Sequence, residues 1–398
     1  MNCSKNIVII MSKQVFKLNK YIEETKKHYH FAEGLFSVNK VPKRKTIEGL
    51  GINYSAYRVE KTRDIVKNDN INKLLNFFGY NKVDEEDIVR YEKLFSKVYY
   101  CCYYSIENSY NLYLSEIEEL MMKKDIIYPV LVLFKVFIHY NRFVDFDECK
   151  KFLKKELQFL SAFSATSYFT DDLRYLYLLM MYYFERIGKN SKEGILEIKK
   201  FCYQEPKLSW LYYSVKAKKA YLNQEDKEAI MYLEILIKEY ERNNNMNRYF
   251  SAINNLAYSY NLEYEYAASL SYTENVIEYL FSSFENKRWV SFILVHYLYS
   301  KLMLNELDQI INFVNIFTFE DTYLSDVSMV IYLITAYLSK NKEFYFKIKS
   351  INKEEFVFLN SFIKYIETKD KSVLSIKDQP PYILRLINFV NEKIRRPF

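Results

Sequence analysis

The sequence predicts an all-α protein with two regions, several short basic helices followed by a stack of helical hairpins. Three observations predict it. Of 398 residues only six are Gly and six Pro while half are apolar, so turn-makers are scarce and helix-formers plentiful. Basic charge gathers at one end: residues 1–82 hold 16 Lys and Arg against 7 Asp and Glu, and residues 83–398 hold 41 against 43. Tyrosine also returns at a steady interval, with Tyr182, Tyr221, Tyr260 and Tyr299 each 39 residues apart and Tyr337 following after 38.

Residues 1–11 are read as a disordered extension or a misassigned start, because Met11 opens "MSKQVFKLNK". From residue 12 to 82 the pattern is short helices joined by tight turns. "QVFKLNKYIEETKKHYHF" sets Val15, Leu18, Tyr21 and Ile22 on one helical stripe. "KTIEGL", "SAYRVEKT" and "DNINKLLNFFG" are three further short helices, the last with Asp69 as its cap and Gly79 as its stop. "NKVDEED" is read as the junction, its acidic residues suited to a new helix amino terminus. Residues 83–398 form the second region, amphipathic helices with polar breaks. There "KKAYLNQEDKEA", "AYSYNLEYEYAA", "YLYSKLMLNELD" and "ITAYLSKNKEFY" each run from the end of one apolar helix through a turn into the next. Ala229 and Ala268 both fall eight residues after their tyrosine, and Tyr140 marks an earlier, looser unit. A unit of this size is two helices of three to four turns, so the expected body is a TPR-like α-solenoid with a concave face.

The glycine-rich stretch "KTIEGLGINYSAYRVEKT" reads as a helix-turn-helix. Ile47 and Leu50 face inward, Gly51 makes the sharp turn, Ile52 is buried beneath it, and Tyr54 to Lys61 form the second helix. That helix would present Tyr54, Ser55, Tyr57, Arg58 and Lys61 to double-stranded DNA. Arg58 is the first candidate for a base edge, since a guanidinium fork satisfies both guanine acceptors. Lys43, Arg44, Lys45 and Arg63 flank the motif and would neutralise phosphates. The plainer alternative is a solvated basic face on a small helical cap.

In this order of regions, carried by "LGINYSAYR" and by the tyrosine-phased hairpins, the chain resembles the peptide-pheromone-responsive helix-turn-helix/TPR transcriptional regulators of Gram-positive bacteria, the RRNPP group. The resemblance implies a cytoplasmic homodimer that binds operator DNA and senses a short peptide held in the concave repeat face. It also implies dimerisation through the carboxy-terminal hairpins, where "EEFVFLNSFIKYI" is rich in aromatic residues. In the repeat face the polar candidates lie on "RYFSAINNLAYSYN": Arg248, Asn254, Asn255, Tyr258 and Asn261. An asparagine amide both donates to and accepts from an extended peptide, although several of these residues could instead face solvent or the next hairpin. The competing class is a non-enzymatic TPR-type scaffold that binds a partner-protein segment and uses the basic region to dock an acidic protein.

Other chemistry finds little footing. His28 and His30 diverge on a helix, His139 and His296 stand alone, and no Cys/His spacing suits a metal, so no metal or cofactor is expected. Cys3, Cys101, Cys102, Cys149 and Cys202 make an odd count without a C-x-x-C pair, which fits a reducing cytosol. There is no phosphate-loop, dinucleotide, nucleophile-elbow or zincin motif, and "DEED" and "TDDL" read as helix starts, so no enzymatic activity is expected. "IVII" at residues 7–10 is too short for a signal segment, and no uncharged run of about 18 residues suggests a membrane span.

Overall fold

The computed structural model describes residues 15–63, 68–142, 145–163, 167–184, 208–282, 287–306, 326–350, 356–368, 370, 374 and 381–394. Among them are twenty α-helices, one 3-10 turn and no β-strand. The expected start at residues 1–11 lies outside the described residues. No described helix is long and apolar enough to cross a membrane. The chain divides into two compact units, Met1–Tyr212 and Tyr213–Phe398.

The first unit contains α1 (Lys20–Glu23), α2 (Thr25–Asn39), α3 (Lys43–Gly49), α4 (Tyr54–Arg63), α5 (Asn68–Phe78), α6 (Glu85–Tyr104), α7 (Tyr110–Met121), α8 (Tyr128–Arg142), α9 (Phe146–Phe152), α10 (Lys154–Ser161) and α11 (Asp171–Tyr183). Its axis is α8, apolar on nearly every side and buried from Pro129 to Phe134 and from Val136 to Tyr140. Helices α6, α7, α10 and α11 pack around it.

The basic segment is built into this unit and does not end at residue 82. Phe16 meets Tyr99 and Phe134 edge-on, and Phe95 stacks on Phe134 with ring centres 4.2 Å apart. Lys27 donates to the carbonyls of Ser167 and Phe169. The Asn81 amide donates to the Lys124 carbonyl, so the acidic "NKVDEED" stretch starts α6, with Asp84 as its cap residue, without marking a boundary between bodies.

The first expected helix is corrected as well. Residues 15–18 are not helical; Val15 donates its amide to Ser96 Oγ and Leu18 donates to Glu92 Oε1. These side chains of α6 take the donors a helix would have used. Val15, Leu18 and Tyr21 are buried as expected, but by a non-helical strap and the one-turn α1, and the chain breaks again at Glu24 (φ −100°) before α2.

The second unit holds most of α12 (Ser209–Leu222), which begins in the first, then α13 (Asp226–Arg242), α14 (Met246–Leu262), α15 (Tyr266–Ser282), α16 (Lys287–Met303), α17 (Asp326–Leu338), α18 (Lys342–Ser350), α19 (Val357–Thr368) and α20 (Pro381–Ile394). Successive helices from α13 to α16 pack on one another, α14 also lies against α16, and α16 against α17.

The recurrent feature is the turn. Gln224, Asn244, Tyr264, Asn305 and Lys340 all take left-handed φ between 51° and 65°. After each, the next amide closes back on a carbonyl five residues earlier: Glu225 on Ala220, Asn245 on Tyr240, Glu265 on Tyr260, Glu306 on Lys301 and Asn341 on Ala336.

Turns 224, 244 and 264 set a helix-plus-turn length that slips against the tyrosine spacing. Tyr221 lies three residues before its left-handed turn, Tyr260 four, Tyr299 six and Tyr337 three. One residue rotates a side chain by about 100° around a helix. Tyr221 is therefore 49% exposed and Tyr299 is 1% exposed, although both sit near a helix end. For the same reason the buried counterpart of Ala229 is Ser269, with Ala268 partly exposed. Tyr140 and Tyr182 belong to the first unit.

Gly34 tests how firmly the basic segment is built in. A Cβ there would lie 2.2 Å from the buried ring of Phe163 on the far side of the unit's sequence. Gly34→Ala is expected to lower stability by roughly 1–3 kcal/mol in urea unfolding of the full chain. An unchanged midpoint would contradict the packing.

Candidate nucleic-acid interface and candidate peptide face

Helices α3 and α4 meet at the expected turn. Gly51 adopts φ +72°, which favours glycine. The Ile52 amide donates to the Ile47 carbonyl at 3.1 Å, and both side chains are buried, whereas Leu50 is only half-buried. Asn53 Oδ1 accepts the Ala56 amide at 3.0 Å and so caps α4.

The nine candidate DNA contacts separate into an outer and an inner group. Arg44, Lys45, Ser55 and Arg58 are exposed. Arg44 pairs with Glu48 at 2.9 Å in the open, four residues along α3, and its guanidinium lies 5.9 Å from the Tyr54 ring. An exposed pair of this kind stabilises little and exchanges readily for another anion. Tyr54 is half-buried and stacks on Tyr57. Arg63 closes α4, and its side chain lies outside the described residues.

Tyr57 is corrected: it has no exposure and cannot reach DNA. Its ring meets Tyr29 edge-on, and its hydroxyl donates to Glu33 Oε1 at 2.6 Å. Positions 57, 60 and 61 share the side of α4 that faces α2, while 55, 58 and 62 point away. Glu60, buried on that inner side, accepts from Tyr29 and from Asn70. Lys61 and Lys43 both turn to Glu33. Lys43 Nζ pairs with it directly, and Lys61 Nζ lies 3.4 Å from Oε1.

One carboxylate on α2 therefore gathers side chains from α3 and α4. Burial by itself would raise the Glu33 pKa, but hydrogen bonds from Lys43 and Tyr57, with the charge of Lys61, bring it below the ordinary value. Burial first, then the Glu33 charge, pushes the Tyr57 phenol far up, so it remains a donor.

In the second unit the five peptide candidates lie along one side of α14. Asn255 is exposed, and Arg248, Asn254 and Tyr258 are half-buried. Asn254 Nδ2 lies 3.4 Å from Asn255 Oδ1, and Asn254 Oδ1 has no hydrogen-bond partner among the described residues. Tyr258 sits between Tyr221 of α12 and His296 of α16, at ring separations of 5.8 and 5.9 Å. Burial pushes the His296 imidazole down to about 4, so that ring is uncharged near neutral pH.

Asn261 is corrected. It is 3% exposed and belongs to a seam between helices, where Ser300 Oγ donates to its Oδ1 at 3.0 Å and lies 3.0 Å from Ser269 Oγ. It sits three residues before the left-handed Tyr264, where α14 turns into α15. Arg385 of α20 donates to the Asn261 and Leu262 carbonyls, both at 2.8 Å, and lies 3.5 Å from the Tyr264 ring.

Sequence reasoning missed Glu33 and the Tyr221–Tyr258–His296 row. Nothing near Glu33 in sequence announces its partners, which lie 10 to 28 residues away. Tyr258 is among the expected peptide contacts, but Tyr221 enters the sequence reading only as a repeat marker and His296 only as an isolated histidine, so the row itself is not visible there. No protein-family model matches the chain, and no curated protein or solved structure matches it in comparison.

Because the Glu33 pKa is lowered by folding, its stabilising effect is fully present above the ordinary carboxylate value of 4.5 and is lost as pH falls through the folded value. Wild type is expected to exceed Glu33→Gln in stability at pH 7, and the gap should close under acid in denaturant titrations. A gap independent of pH would contradict the clamp.

Proposed function

We propose that the chain is a DNA-binding transcriptional regulator whose second unit is a TPR-like helical-repeat body that holds a short peptide. The observation that carries this reading is the outward face of α3 and α4, where Arg44, Lys45, Ser55 and Arg58 are exposed beside a turn held by Gly51 and Ile52. Phosphates attract Arg44 and Lys45 without sequence choice, while Arg58 and Ser55 are placed to meet base edges. The half-buried Tyr54 borders that face. The concentration of basic residues in the first fifth of the chain favours a polyanion over a neutral partner.

For the peptide, Arg248, Asn254 and Asn255 supply donors and acceptors beside an aromatic row that Tyr258 shares with Tyr221 and His296. A cytoplasmic homodimer accompanies this reading, and the exposed Phe346 and Val357 near the carboxy-terminal end favour such a contact.

Fluorescence anisotropy with duplex DNA from upstream of the chain's own gene tests DNA binding. Arg58→Ala is expected to cost roughly 1–3 kcal/mol of specific binding. Arg44→Ala with Lys45→Ala should weaken all sequences alike and reduce the salt slope by about 2. No binding, or an unchanged slope, would count against the interface. To test peptide binding, peptides selected from a display library on the full chain should lose binding with Tyr258→Ala and keep it with Phe77→Ala; equal loss would place the peptide elsewhere.

A further inference from the structure

We propose that Glu33 acts as an internal substitute for a phosphate group, holding Lys43 and Lys61 back from an arriving polyanion. The inference rests on the DNA-binding reading above.

Lys43 opens α3 beside the exposed Arg44 and Lys45, and Lys61 lies in the last turns of α4, three residues after the exposed Arg58. Both ammonium groups therefore border the outward cationic face, yet both are spent on one carboxylate. Neither is sealed in: the side chains of Lys43 and Lys61 keep 29% and 28% of their exposure, and that of Glu33 keeps 17%. Lys61, at 3.4 Å, is the looser of the two. A lysine stem is flexible and its charge is a point, so once the carboxylate charge is removed either ammonium can turn to a phosphate without moving the backbone.

Tyr57 behaves differently. Its ring is fully buried, and its hydroxyl holds Glu33 from below, so the carboxylate is anchored independently of the lysines. Glu33 then opposes binding twice, by holding two cations back and by leaving a negative charge beside the arriving phosphates.

Glu33→Gln keeps an acceptor for Tyr57 and removes the charge. With a labelled duplex of mixed sequence as probe, this variant should bind more tightly than wild type, with a salt slope steeper by about 1–2. Adding Lys43→Gln and Lys61→Gln to it should return the slope to the wild-type value. In the wild-type background, where Glu33 already withholds both lysines, the same two substitutions should leave the slope nearly unchanged; this arm does not depend on Glu33→Gln folding. An unchanged or shallower slope for folded Glu33→Gln, or a slope reduced by about 2 on removing the lysines from wild type, overturns the inference while the DNA reading stands. If neither wild type nor Glu33→Gln binds the duplex at any salt concentration, the inference and the DNA reading fall together.

Discussion

The first unit turns on a single carboxylate. Glu33 projects from α2 into the angle between α3 and α4 and accepts from Lys43, Tyr57 and Lys61. Three donors from two helices fix the pitch of α4 against α2, because a half-buried carboxylate with fewer partners would be costly to hold. The outward face of α4 follows from that inward one. Once Tyr57 and Glu60 are committed to the interior and Lys61 to Glu33, the helical period leaves Ser55, Arg58 and Thr62 outside.

The same logic explains why the basic segment belongs to a larger body. Its short helices bury too little apolar surface to stand firmly alone. Phe16, Tyr21 and Phe31 complete an aromatic core whose other members come from residues 95–168, including Phe134, Phe163 and Tyr168. Polar groups seal the joint: Glu92 and Ser96 receive the strap's amides, and Lys27 caps two carbonyls near the start of α11. A rigid base of this kind lets a short surface helix present side chains at a constant angle.

Much of this was legible in the sequence, and the limits have physical causes. Helix content followed from scarce glycine and proline, and the Gly51 turn with Ile47 and Ile52 beneath it followed from local stereochemistry. Tyr57 and Asn261 were misplaced because their burial depends on distant partners, Glu33 in one case and Ser300 in the other. The boundary near residue 82 was drawn from charge, but contacts follow apolar and aromatic packing, which continues across it. The tyrosine interval located helix ends correctly and their faces poorly, since an offset from the turn that varies between three and six residues rotates the side chain while leaving it near the helix end.

In the second unit, left-handed turns carried by Gln, Asn, Tyr and Lys set the hairpin lengths without a single glycine after residue 194. Such turns cost more than glycine would and are held by the closing hydrogen bonds and, at Tyr264, by Arg385. The proposed DNA-binding face of the first unit is tested most directly by site-specific photocrosslinking. A photoreactive side chain at Ser55, on the outward face, is expected to crosslink duplex DNA, whereas the same group at Met122, which is also exposed, should not. Crosslinking at Met122 alone, or at neither position under conditions where DNA is bound, would contradict it.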